Sequence, residues 1–236
     1  MKSHSMVRNA ATIAVATIVS LAAQSPAAAQ DATGARWAPS ELVLSANTTL
    51  QNFLRDPDMS WLQQNMSRAK GVLIAPEVVK AGFIFGGSGG RALLIVKDRD
   101  GKWQGPAFYT LATGSIGFQA GVSVSEVAML VMTERAVNAL MATSFRLGGD
   151  ASIAAGPVGA GAKSDLIADF VTFSRSKGIY GGVNLDGTVV MANDEWNSAY
   201  YNNARLTPPD ILIRPTVDNR DAAPLLETAS KGAGNR

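Results

Sequence analysis

Apolar residues recur every three or four positions between Ser40 and Leu54, at Leu42, Val43, Ala46, Leu50, Phe53 and Leu54. That period gathers them on one side of a helix, with Ser40 placed to cap it. Asp56-Pro57 has the form of a cap followed by a first-turn proline. Met59, Trp61, Leu62, Met66 and Ala69 then predict a second short helix. From Gly71 the texture changes to short apolar runs separated by glycine. Gly71–Ala75, Phe83–Phe85, Ala92–Val96, Ala107–Leu111, Ser115–Gln119 and Val127–Met132 predict strands. Asp98-Arg99-Asp100-Gly101 predicts a tight turn, and Asn184-Leu185-Asp186-Gly187 another, joining Ile179–Val183 to Thr188–Met191. Helical spacing returns from Thr133 to Phe145, through Ala136, Val137, Leu140 and Met141. Thr133 caps its start and Gly148 ends it. Ala151–Ala155 and Ala168–Phe173 predict further strands, and Asn193–Asn202 a last short helix.

This order, two helices, many strands, one inserted helix and more strands, lacks a strand–helix alternation. It predicts an α+β fold with a curved, mainly antiparallel sheet or partial barrel. Of the 23 glycines, 20 lie between Gly71 and Val190. Glycine inside strands points to bulges and close backbone approach. The domain is expected over 40–205. Residues 206–236, rich in Pro, Asn and Asp, read as a flexible tail within which Pro224–Ala229 could dock as a short helix.

The chain's beginning has a different character. Lys2 and Arg8 precede an apolar stretch from Ala10 to Ala23, and Ala27-Ala28-Ala29 supplies small residues for cleavage. Residues 1–29 therefore read as a secretory signal. The apolar stretch, about 14 residues, is shorter than the ~20 needed to span a bilayer. Residues 30–39 read as a loose leader. The expected location is periplasmic or secreted. With no Cys, the chain cannot carry a lipid on an N-terminal cysteine.

Removing the signal changes the electrostatics. Of 21 Lys and Arg, Lys2 and Arg8 leave with it, so 19 remain against 19 Asp and Glu. A neutral chain is not a nucleic-acid binder by charge. Between Lys70 and Lys177, however, there is an excess of three positive charges. Lys70, Lys80, Arg91, Arg175 and Lys177 border the glycine-rich blocks. If they converge they form a basic patch for lipid phosphates; otherwise they are scattered solvated charge.

Composition excludes much chemistry. Without Cys there are no disulfides, thiolate metal sites or Cys nucleophile. The one His, His4, lies in the signal. Gly86-Gly87-Ser88-Gly89-Gly90 matches G-x-S-x-G, but the mature chain has no His to activate Ser88. The same run, with Gly87, Ser88 and Gly89 at its centre and Arg91 beside it, is either a backbone nest for an anion or a glycine turn. Gly156 to Ser164 fails the phosphate-loop spacing, because Ala162 separates Gly161 from Lys163. Asp98–Gly101 lacks the later ligands of a calcium loop. Glu126 interrupts an apolar run and is either solvated or buried and paired; Asp150 and Asp165 have no partner visible in the sequence. No metal, cofactor or catalytic residue is expected.

The blocks KGVLIAPEVVKAGFIFGGSGGRALLIVKD (70–98), GPAFYTLATGSIGFQAGVSVSEVAMLVM (105–132), LGGDASIAAGPVGAGA (147–162) and SRSKGIYGGVNLDG (174–187) resemble the SYLF domain family, also called the yeast actin-patch or Las17-binding domain family. The resemblance covers roughly 40–205. It implies a binding module, not an enzyme, with phospholipid or an anionic membrane surface as partner. The alternative it leaves is a protein-interaction or structural module of the envelope, as in the actin-binding eukaryotic relatives. Membrane binding in those relatives is attributed to an N-terminal amphipathic helix. The matching helix here would present Leu42, Val43, Leu50, Phe53 and Leu54 to lipid, or to the protein's own core.

Overall fold

The computed structural model describes residues 38–82, 85–116, 121–159, 161, 166–176, 179–180, 185–214 and 216–234. The predicted signal and almost all of the leader, Phe83, Gly117–Gln119, Lys163, Asp165, Lys177 and Gly181–Asn184 fall outside them.

Helix α1 runs Pro39–Arg55, two residues earlier than the Ser40 cap predicts, because proline fits the first turn and needs no N–H partner there. Glu41 in its first turn and Arg55 in its last complement the helix dipole. Asp56 accepts a hydrogen bond from the Asp58 N–H at 2.9 Å and starts a single 3₁₀ turn, Pro57–Met59. Helix α2, Ser60–Asn65, follows. Four long strands come next: β1 Gly71–Gly82, β2 Phe85–Lys97, β3 Trp103–Ile116 and β4 Gly121–Val131. Thr133 then caps α3, Glu134–Leu140, its hydroxyl accepting from the Ala136 N–H.

The remaining strands are short: β5 Ser144–Arg146, β6 Ile153–Ala155, β7 Phe170–Ser176, β8 Ile179–Tyr180 and β9 Val189–Ala192. Helix α4 is Asp194–Tyr201, capped by Asn193 and ended by Asn202 in the left-handed region. Helix α5 is Pro208–Leu212, and α6 is Ala223–Gly234.

The strands form one sheet in the order β5-β9-β3-β2-β1-β4-β7-β6, with β8 beside β7. Every strand pair is antiparallel except β6–β7. Leu147 and Ala151, outside the named strands, form an isolated bridge within the connection from β5 to β6, and the sheet curls into a half-barrel. Two prolines mark irregularities in the inner strands. Pro76 sits where β1 slips register against both neighbours, and Pro106 where β3 slips against β2. Proline cannot donate to a ladder, so an inner strand tolerates it only at such bulges. The slip at Pro76 brings the Glu77 carbonyl against Gly90. A Cβ on Gly90 would lie 2.3 Å from that oxygen, so only glycine fits.

Both faces of the sheet are buried at the end where α1 and α3 pack. On the first face, Leu42, Val43, Ala46, Leu50 and Phe53 of α1 pack on Val72, Ile74, Leu93, Ile95 and Phe173, joined by Trp61, Trp196 and Leu225. On the second face, Ala136, Val137 and Leu140 of α3 meet Leu73, Leu94, Tyr109, Met129 and Phe170. Each such side chain contributes about 1.5–3 kcal/mol by leaving water.

The expected tail is a packed part of the same domain. Leu225, Ala229 and Gly232 of α6 are buried, and Thr228 accepts a hydrogen bond from Gln51 and donates one to Asn47 of α1. Composition suggested a loose end because the intervening segment is polar. The helix itself supplies apolar residues at helical spacing. The domain boundary expected at 205 therefore lies inside the packed unit.

Candidate interaction surface

The four basic candidates among the described residues, Lys70, Lys80, Arg91 and Arg175, do not gather into one patch. Lys70 precedes β1 and pairs with Glu134 of α3 at 3.0 Å, an exposed pair that contributes little. Lys80 lies ten residues along the same strand, about 33 Å away at the usual rise. Arg91 is half-buried on the first face. It donates to the Thr110 hydroxyl and lies 5.3 Å from the Trp196 ring centre. Burial pulls its pKa down, while nearby Glu195 pushes it back up.

Arg175 is held in a bidentate pair. Its Nε donates to Glu126 Oε2 at 2.8 Å, and a second guanidinium nitrogen donates to the same oxygen. Thr49 of α1 donates to the other oxygen at 3.0 Å, and the guanidinium rests over Phe53. Glu126 is thus paired, and its partners are consumed within the fold. Sequence position alone could not reveal this, because convergence depends on strand register.

The glycine run is also settled by pairing. Gly87, Ser88 and Gly89 lie inside β2, bonded to β1 on one side and β3 on the other. Their backbone groups belong to ladders, so the run is neither a nest nor a turn. Ser88 stands opposite Lys80 and Thr113.

The candidate membrane residues of α1 are occupied. Leu42, Val43, Leu50 and Phe53 are buried on the sheet, and Leu54 is half-buried against Gly232. The helix has no apolar face left for lipid. No helix among the described residues is long and apolar enough to cross a membrane.

The sequence reading missed Asp169. It is buried and accepts from Thr133 Oγ1 at 2.6 Å, Ser152 Oγ at 2.7 Å, the Ser152 N–H at 2.9 Å and the Arg135 guanidinium. Arg135, then Thr133 and Ser152, hold its carboxyl far below the usual carboxylate range against the opposing effect of burial. The cluster ties the start of β7 to the α3 cap and to β6. Its members are 17 to 36 positions apart, so no local motif announces it.

What remains only partly covered is the far end of the four long strands, where Val78, Leu111 and Ser125 are the buried residues. Residues 78–82, 86–90, 110–114 and 121–125 carry only small or β-branched side chains, one leucine and a single charge, Lys80. On the first face, beyond the reach of the helices, Val122 is 71% exposed and Val124 40%. On the second face Ser88, Lys80 and Ser123 form one cross-strand row. Strand β7 pairs with β4 only from Ser125 onward, then reverses after Ser176 into β8. Among the described residues, Gly121–Val124 therefore has β1 on one side and no strand on the other. The signal for this surface was the alternation in Gly121-Val-Ser-Val-Ser125, which the reading left outside the strand it began at Val127.

A family profile described as Ysc84, the Las17-binding protein actin regulator, matches residues 112–232, running from within β3 into α6. The chain belongs to the Ysc84 family. This bears out the SYLF resemblance. LAS seventeen-binding protein 3 of Saccharomyces cerevisiae is 29% identical over 169 residues, 65% of this chain and 36% of that protein. Protein YSC84 of the same yeast is 31% identical over 143 residues, 58% of this chain and 30% of that protein. SH3 domain-containing YSC84-like protein 1 of Homo sapiens is 31% identical over 141 residues, 58% of this chain and 41% of that protein. The chain thus spans well under half the length of these Ysc84-family relatives.

Proposed function

We propose that this chain is a non-catalytic protein-interaction module whose contact surface is the free end of β4. The observation that carries the reading is the exposure of Val122 and Val124 on a strand end that, among the described residues, has no strand on one side. An open strand edge is a template for another strand. The family's description and the relatives' names, which speak of binding and regulation, support the same class of role.

The test is photo-crosslinking in the cells that make the protein. A crosslinker replacing Val122 is expected to give one discrete protein adduct. One replacing Leu44, equally exposed but on α1, is expected to give none. Absence of an adduct at 122, or the same adduct from both positions, sinks the proposal.

The membrane reading rests on the same place, because the two exposed valines present an apolar spot to a bilayer, with Lys80 on the opposite face of the sheet. One described cation is a weak electrostatic anchor at ~1 kcal/mol per basic residue. Salt-sensitive sedimentation with phosphatidylglycerol vesicles, abolished by Val122→Asp, would make lipid the ligand instead. The reading of residues 1–29 as a signal places the mature domain in the envelope. N-terminal sequencing of the purified protein is expected to start near Gln30; a chain starting at Met1 would overturn that placement.

A further inference from the structure

We infer that the partner segment is an extended strand of alternating apolar and acidic residues, laid antiparallel or parallel along Gly121–Val124. This rests on the β4 surface proposed above and specifies what binds there. The argument is one of charge and alternation. Along β4 successive side chains point to opposite faces, so Val122 and Val124 share one face while Gly121 and Ser123 share the other. A strand added at the open edge alternates in the same phase. Its residues on the first face would lie beside the two valines and bury apolar area only if apolar themselves.

Its residues on the second face meet a different row. Opposite Ser123, on the far side of β4, is Lys80. Lys80 is exposed and has no acidic partner among the described residues, and it is the only charge in the four strand ends. Two strand spacings, about 10 Å, separate its Cα from that of an added strand's residue. A lysine and a glutamate reaching toward each other close that gap. Ser123 between them is short enough to be crossed and offers a hydroxyl to the same carboxylate. Gly121, the next residue on that face, has no described atom within 4 Å of where a Cβ would stand. An uncharged segment would leave Lys80 unanswered, and a basic one would be repelled.

Three fluorescein-labelled peptides test this: Thr-Val-Glu-Val-Glu-Val-Thr and its Gln and Lys counterparts, measured by anisotropy against the full mature chain at low salt. The Glu peptide is expected to bind about fivefold more tightly than the Gln peptide, the scale of one exposed charge pair, with the Lys peptide weakest. Lys80→Glu, at an exposed site, is expected to melt like the parent and to reverse the order. Equal affinities, or a preference for Glu that survives Lys80→Glu, overturn the acidic code. Binding of none of the three also overturns it. The Val122 adduct then decides separately whether β4 is a contact surface at all.

Discussion

Leu50→Asp is expected to leave the protein unfolded. Leu50 is 0% exposed and sits among Val43, Ala46 and Phe53 on the first face of the sheet. Removing a buried leucine costs about 2–5 kcal/mol through lost burial and the cavity left. A carboxylate placed there without a partner adds several more. The total is of the same order as the 5–15 kcal/mol that holds a typical domain together. Leu44→Asp on the same helix, where the side chain is 62% exposed, is expected to leave the melting temperature unchanged. Circular dichroism with thermal melts separates the two. A folded Leu50→Asp protein would mean that α1 lifts off the sheet, and would return it to the membrane.

Asp169→Asn is expected to cost about 3 kcal/mol at neutral pH, the scale of a buried acceptor losing its charge-assisted hydrogen bonds. The sign of its pH dependence follows from the depressed carboxyl. Unfolded aspartate titrates near 3.9. The stabilisation is therefore fully present above about pH 4 and is lost as pH falls below that value toward the folded one. Urea unfolding at pH 7 and at pH 3 checks this. The gap between parent and Asp169→Asn should be widest at pH 7 and narrower at pH 3. A gap that stays constant would show that shape, not charge, makes the cluster matter.

Much of the architecture was readable because apolar periodicity and burial coincide. Helix α1, the capped α3, and the segments 71–75, 92–96, 107–111 and 127–131 all announced themselves by side chains that the core now holds. The outer halves of the long strands did not. Gly86 to Gly90 offers no apolar stripe to detect, and Gly121 to Ser125 only a two-valine alternation; backbone ladders hold both in place. Side-chain periodicity is silent about a strand stabilised that way, which is why a five-residue glycine run looked like a turn. The basic residues failed for a different reason. Lys70 and Lys80 are close in sequence, yet an extended strand spends that interval on distance, whereas Glu126 and Arg175 are far apart in sequence and meet through register. The same holds for Asp169, whose partners come from two separate segments, the start of α3 and the residue before β6.

The contact between α1 and α6 has a consequence for how the chain is born. Thr228 bonds to Asn47 across 181 positions, and Leu225 and Ala229 complete the core that α1 begins. The first described helix must wait for α6 to be made before its cover is whole. Until α6 has emerged, a nascent chain leaves that side of α1 open. A polypeptide that stays open for that long is available to be threaded through a narrow passage before it locks.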